Sequence, residues 1–334
     1  MTSPVYLPAD EFGGTNPPDL DLAADYLELK AALSPVGQSY GTDIVDALEL
    51  AADEEFEDVN EEIESREAVA TGAVTRIGLR RRVLGEAYPF AMDESGSTVS
   101  FLAERPDLGH AAYMVSLVLS NLRTITPLLD ATVLHPSKEE TNALREYFQY
   151  FATAALAAEI GGQAWSFGFP RPDGSGFLAK LSEIWSVLKD GAVNRDPSAP
   201  ASPKDDKVDV FAWREHADGL PGFLFAVAQV ATGRDWKDKP IKSQVKEVFP
   251  KRWFSPVPVT EWVAYHVVPF ARPDDEFRDD VLVLGNVLHR IRVPKRVVEA
   301  ERLKGRELAI EAFDQLQGAA DWVASYIRKA KGQA

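Results

Sequence analysis

The sequence predicts an α/β (α+β) C-terminal domain with a mixed sheet flanked by helices, preceded by a mainly helical N-terminal domain. Three observations carry that expectation. A stretch rich in Gly and Pro, "EIGGQAWSFGFPRPDGSG" (159–176), divides the chain near residue 165. Before it, apolar residues recur at helical spacing with a strand–turn–strand interruption; after it, short apolar runs such as "KVDVFAWREH" (207–216) read as strands between helices. The chain has 334 residues, 45% of them hydrophobic, so each part is large enough for its own core.

Taken in order, the first 20 residues are rich in Pro, Gly and Asp and read as extended or disordered. Residues 21–33 ("DLAADYLELKAAL") are predicted helical and stopped by Ser34-Pro35, and a helix over 42–52 starts from Thr42 or Asp43 as N-cap. The acidic run "DEEFEDVNEEIESRE" (53–67) leads into a helix ending near "RRRVL". Residues 87–103 read as two short strands around an Asp-Glu-Ser-Gly turn, followed by helices over 110–128 and 137–160. Beyond the boundary, a helix over 176–189 ends at Asp190-Gly191, and 194–206 is exposed loop. Strands 207–216 and 223–231 form a hairpin around "ADGLPG". A helix follows from Trp236 to about Val248, with Pro240 in its first turn. "EWVAYHVVPFA" (261–271) and "DVLVLGNVLHRIRV" (280–293) hold two further strands, and a basic amphipathic helix closes the chain from about Lys295 to Lys331.

Composition excludes several function classes. The chain has no cysteine, which removes disulfides, thiolate nucleophiles and Cys-based zinc sites and fits a reducing, cytoplasmic location. The start shows no basic segment followed by an apolar core, and the most apolar helix is interrupted by Asn121, Arg123 and Pro127, so neither a secretory signal nor a membrane partner is expected. The net charge of −16 is concentrated: residues 1–67 hold 18 Asp and Glu against Lys30 and Arg66. The remainder is neutral, so the acidic balance does not argue against a nucleic-acid partner there. The acidic N-terminal region is the expected contact for a protein partner.

Gln229 poses the sharpest question. It follows the apolar run Phe223–Ala228, where an unpaired amide costs roughly 1–3 kcal/mol. Asp209 lies 20 residues earlier on the preceding strand, with Val208, Val210 and Ala212 on one face and Asp209, Phe211 and Trp213 on the other; Glu183 sits in the helix before it. Two carboxylates and an amide oxygen form a reasonable ligand set for Mg²⁺, or Mn²⁺, which keeps several waters and supports phosphodiester hydrolysis. The bland alternatives are a structural amide at Gln229, a surface ion pair at Asp209 with Lys207 or Arg214, and a solvated Glu183.

In this helix–strand–strand order the chain resembles the PD-(D/E)XK, or restriction-endonuclease-like, nuclease superfamily over about residues 176–250. Glu183 matches the helical acid, Asp209 the strand Asp and Gln229 the Glu/Gln position. The resemblance implies a metal-dependent nuclease acting on DNA, a type often found in restriction or anti-phage defence. It departs where the family has Lys: this chain has Ala231. Either the amine comes from elsewhere, with Lys237 first, Lys239 next and Lys207 last, or the site is degenerate and the fold serves as an interaction or regulatory subunit. Trp236 and Trp213 are expected to pack around the site. Arg234, Lys239, Lys242 and Lys246, in a basic cluster over 234–252, are the expected DNA contacts, and a second basic cluster covers 289–306.

Other motifs carry less. "GQSYG" (37–41) has nucleophile-elbow spacing but follows a Pro-terminated helix. "GSGFLAKL" (174–181) lacks the Lys-Ser/Thr of a P-loop and reads as a helix start. The five histidines show no zinc spacing, and the 53–67 block has no EF-hand order.

Overall fold

The computed structural model describes residues 19–51, 59–122, 135–233, 236–237, 241–272, 274–306 and 308–332. The expectation for residues 1–18, and the positions Arg234 and Lys239, lie outside the described residues. The protein is α/β, with helices, a three-stranded antiparallel sheet and a five-stranded mixed sheet. Contacts divide it into two compact units, Met1–Leu144 with Gln317–Ala334, and Arg145–Leu316. Among the described residues no helix is long and apolar enough to cross a membrane.

In the first unit the described elements are α1 (Leu20–Leu33), β1 (Gln38–Tyr40), α2 (Thr42–Ala51), α3 (Val59–Leu84), β2 (Phe90–Met92), β3 (Thr98–Phe101) and α4 (Leu108–Ser120). Asp19 caps α1 by accepting from the Leu22 N–H at 3.0 Å, and the helix stops where Ser34 turns extended before Pro35. The hairpin β2–β3 forms as expected, with Phe90 opposite Phe101. Its turn is held by Asp93, whose carboxylate accepts from Ser95 Oγ, Ser97 Oγ and the Thr98 N–H. β1 was not anticipated: it lies in "GQSYG", where Ser39 is fully buried and donates to the Leu27 carbonyl. That bond occupies the serine in the core and removes the nucleophile reading.

The second unit begins at Arg145, within α5 (Lys138–Ile160). This helix ends in a Schellman motif, with Gly161 at φ 68° donating to the Ala158 carbonyl and Gly162 to that of Ala157. The turn delivers the chain into β4 (Gln163–Ser166), so close to β5 (Val210–Arg214) that a Cβ on Gly162 would stand 2.0 Å from the Trp213 carbonyl oxygen. α6 (Phe177–Ser186) follows β4, and β6 (Leu224–Val230) follows β5. Then α7 (Ile241–Ser243) runs through a π-helical turn (Gln244–Val248) into α8 (Phe249–Trp253). The unit continues with β7 (Trp262–Val267), α9 (Asp274–Leu284), β8 (Asn286–Leu288) and α10 (Val293–Lys304). α11 (Leu316–Ala330), which belongs to the first unit from Gln317 on, is the last described helix.

The sheet order is β4-β5-β6-β7-β8; β4, β5 and β6 form an antiparallel meander, and β7 and β8 add in parallel. The predicted alternation holds in β5. Phe211, Trp213, Phe225 and Val227 join Trp262 on one face and pack under Phe177, Leu181, Trp185, Phe249 and Trp253 from α6 and α8. That apolar face is what fixes the register, since a one-residue slip would turn it to the opposite side.

Four expectations need correction. β4 lies inside the Gly- and Pro-rich stretch assigned to a boundary loop. Residues 280–284 of "DVLVL" are the end of α9, with the strand confined to Asn286–Leu288 after Gly285 at φ 97°. Of the expected helix from Trp236 to about Val248, residues 238–240 with Pro240 lie outside the described residues; from Ile241 it turns π-helical at Gln244–Val248 and ends at Trp253 rather than Val248. The closing helix is two helices: α10 stops at Lys304-Gly305, and Ile310 bridges to Ala164 before α11 begins.

Candidate functional site

All five strands of the mixed sheet present one end to the same side: the end of β4, the start of β5, and the ends of β6, β7 and β8. In open sheets with parallel strands, the crevice beyond the carboxyl ends is the usual place for a ligand. Asp209, Gln229, His266 and His289 all belong to this end.

Asp209 is half-buried one residue before β5. Its N–H donates to the Ala228 carbonyl, and its own carbonyl accepts from the N–H groups of Phe167 and Gly168 at 2.7 and 3.0 Å. Its Oδ2 accepts from the Val230 N–H at 2.8 Å. The carboxylate is thereby fixed beside the residue that follows Gln229. The other oxygen, Oδ1, faces Gly168. A Cβ there would lie 2.6 Å from Asp209 Oδ1 and 2.7 Å from each amide atom of Gln149, so carboxylate and amide flank the same point. Gln149 comes from α5, and its Nε2 donates to Ser166 Oγ at 2.7 Å.

Gln229 is 7% exposed, and its Oε1 is buried with no hydrogen-bond partner. A buried amide oxygen left unsatisfied is costly, so a ligand there has a physical motive. In register with it on β7 is His266, fully buried. The Trp236 ring covers that imidazole at 5.7 Å between centroids, as expected of a tryptophan at this site.

Trp213 stands elsewhere. It pairs with Phe225 and Gln163, at the far end of β5 from Asp209, and its indole N–H donates to Glu215, so it belongs to the core. Glu183 is held elsewhere, in the cluster around Lys180. Its Oε2 accepts from Lys180 Nζ at 3.1 Å, and Lys180 also meets Asp173 and Glu311. Ala231 is buried in an apolar cluster with Trp236, Val268, Leu284 and Val287, which fills the position where the resemblance expects an amine. Lys237 is half-exposed, with Nζ 3.5 Å from Asp280 Oδ1 and 5.7 Å from the Trp236 ring centre. It is drawn toward α9, whose Asp280 also binds Arg272.

The expected DNA-contacting lysines are displaced as well. Lys242 Nζ donates to the Leu282 carbonyl, and Lys246 Nζ lies 3.9 Å from Glu261, just before β7 begins. His266, beside Gln229, is near the other end of that strand. At about 3.3 Å per residue, four residues of strand separate the two ends by roughly 13 Å. The second basic cluster is better placed. Arg292 and Lys295 are exposed at the start of α10, directly after β8 reaches the Gln229 end. The Arg292 guanidinium lies over Phe277 at 4.4 Å, and burial of its inner part pulls its pKa down from the usual arginine value.

Among the described residues no group of three or more His, Asp or Glu stands close enough to hold a metal ion. The sheet end instead offers the Asp209 carboxylate with the amide oxygens of Gln149 and Gln229. Each is an oxygen donor of the kind a hard cation such as Mg²⁺ takes, and among them the unsatisfied Gln229 Oε1 is the atom with the strongest motive to bind one. Sequence reasoning missed Gln149 and His266. A polar residue amid "YFQYFATAAL" was the available signal for the first; a lone His in an apolar strand gave little for the second. No family model matches the chain, and neither a curated protein nor a solved structure does.

Proposed function

We propose that the chain is a divalent-metal-dependent nuclease of restriction-endonuclease-like type, acting on DNA, with Asp209, Gln229 and Gln149 as its site. The observation that carries the proposal is the pairing of a carboxylate, held by the Val230 N–H, with a buried amide oxygen that has no partner one residue away in the chain. The meander β4–β5–β6 followed by parallel β7 supports it, because that order brings both residues to one end of the sheet. Mg²⁺ or Mn²⁺, held by these oxygens, would supply charge to a phosphoryl oxygen and lower the pKa of a bound water. The chain's own residues do the rest. Val230 and the backbone of Phe167 and Gly168 hold Asp209 in place, Trp236 shields His266 and Gln229 from water, and Arg292 and Lys295 contact the DNA phosphates. The defence setting, a cytoplasmic location and a protein partner for the acidic N-terminal region remain part of this proposal.

A second reading has specific support: Ala231 is sealed in the apolar cluster and Lys237 leans on Asp280, so the fold could serve as a catalytically inactive interaction subunit. Metal separates the two. Plasmid and linear DNA are expected to be cut with Mg²⁺ or Mn²⁺, and Gln229→Ala to lower the rate about 10–100-fold with folding intact. An inert wild type whose melting temperature ignores both ions would sink the nuclease in favour of the interaction subunit.

Gly168 gives an independent check. Gly168→Ala puts a methyl group where Asp209 Oδ1 and the Gln149 amide already stand. The expected cost is about 1–3 kcal/mol of stability and about a hundredfold in cleavage rate, since displacing a positioned group by an ångström has that effect. Equal activity in the variant would show that these two side chains need not meet.

A further inference from the structure

We infer that Glu311, clamped by Lys180, is a positioning residue for the Asp209–Gln149 pair, acting through Ser166; the inference rests on the nuclease reading above. β4 is not left as a bare sheet edge. The segment 309–311 adds beside it, with the Ala164 N–H donating to the Ala309 carbonyl and the Glu311 N–H to that of Ala164. Continuing this pairing, the Glu311 side chain takes the next free donor. Its Oε2 accepts from the Ser166 N–H at 2.9 Å.

The other oxygen, Oε1, accepts from Lys180 Nζ at 2.6 Å. Lys180 is 1% exposed, lies over the Trp165 ring at 4.6 Å, and also donates to Asp173 at 2.8 Å and Glu183 at 3.1 Å. Both Glu311 oxygens are therefore fixed, and with them the end of β4. Ser166 passes that order on, because its hydroxyl accepts from Gln149 Nε2. The same amide and Asp209 Oδ1 both lie within 2.7 Å of the point a Cβ on Gly168 would occupy. The path thus runs through hydrogen bonds from Lys180 to Glu311, Ser166 and Gln149, and reaches Asp209 because its Oδ1 and the Gln149 amide flank the same point beside Gly168. Burial pushes the Glu311 carboxyl up, while the Lys180 amine beside it pulls the other way. Removing the lysine's partner would leave that amine over Trp165 with Asp173 and Glu183 alone.

Nothing in the sequence forecasts this. Glu311 lies 145 residues beyond Ser166, in a segment that reads as the middle of a helix. It also explains where Glu183 goes: into the clamp around Lys180 rather than to Asp209.

The test measures Mn²⁺ affinity of the full chain by electron paramagnetic resonance, together with DNA cleavage and melting temperature, for wild type, Glu311→Ala, Glu311→Gln and Asp209→Ala. Glu311→Ala is expected to weaken Mn²⁺ binding and cleavage about 10–100-fold, as loss of partners that orient metal ligands does. Glu311→Gln, which keeps an oxygen for the Ser166 N–H but loses the acceptor for Lys180, should recover part of both. If Glu311→Ala does not fold, Ser166→Ala interrupts the same path and should show the same loss. Affinity unchanged in the folded variants, while Asp209→Ala abolishes it, would overturn the inference and leave the nuclease reading standing. A wild type that neither binds Mn²⁺ nor cuts DNA would overturn both.

Discussion

Arg80→Met is expected to destabilise the first unit by about 3–5 kcal/mol, the usual cost of removing one member of a buried ionic group. Arg80 is 1% exposed and faces three carboxylates from α1. Its guanidinium meets Asp21 and Asp25 at 2.8 Å and Glu28 at 2.9 Å. Glu28, fully buried, also accepts from Tyr88 Oη at 2.5 Å and from Tyr113 Oη at 2.7 Å, and Asp25 accepts from Asn121 Nδ2. Burial, with Glu28 beside it, pushes the Tyr88 phenol far up, so this hydroxyl stays a donor. Methionine matches much of the arginine's volume but supplies no charge, depriving Asp25 and Glu28 of the Arg80 guanidinium. A loss of that size would consume much of the stability of an ordinary domain. Urea unfolding of Arg80→Met against Arg81→Met checks it. Arg81 is exposed, and its replacement should stay within about 0.5 kcal/mol of wild type. Comparable midpoints for the two variants would mean that the buried group contributes no more than a surface contact.

Such a group could not have been read from sequence, and the reason is general. Asp25 and Glu28 sit three residues apart in "DLAADYLELKAAL", where acidic residues look like the solvated side of a helix, and Arg80 arrives from 55 residues away. What was legible was local. α1 carries its own stop at Ser34-Pro35, the β2–β3 turn is written in Asp93 to Ser97, and β5 shows its faces by alternation. β1 and β4 are three and four residues long and owe their existence to pairing with β3 and β5, so no window of sequence around them contains the cause. "DVLVL" before Gly285 shows the opposite difficulty: a short apolar run fits a buried strand or a helix equally, and packing of α9 decided it. At the site, Asp209 and Gln229 were visible because each is a polar residue at the end of an apolar strand. Gln149 was hidden in a helix that reads as core, and Glu183 gave no sign that Lys180 would hold it.

Asp209→Asn is expected to abolish cleavage while leaving the fold intact, a loss of about 4 kcal/mol in transition-state stabilisation, or roughly a thousandfold in rate. The substitution is nearly isosteric. An Asn oxygen still accepts from the Val230 N–H that Asp209 Oδ2 accepts from at 2.8 Å, and the backbone bonds of residue 209 to Phe167, Gly168 and Ala228 do not depend on the side chain. Exchanging a charged acceptor for a neutral one there should cost about 1 kcal/mol of stability. Charge is what changes. In the proposed site Asp209 is the carboxylate beside two amides, so its removal would leave only neutral oxygens for a cation that prefers anionic ones. The asymmetry between the two costs is the argument: a purely structural Asp209 predicts a small change in melting and an equally small change in rate. The measurement pairs thermal unfolding with and without Mn²⁺ against single-turnover cleavage for both proteins. A wild type stabilised by Mn²⁺, beside an Asn variant that melts near wild type without the ion and ignores it when present, assigns the charge to the site. An Asn variant that cuts DNA as fast as wild type would return Asp209 to the role of a strand cap.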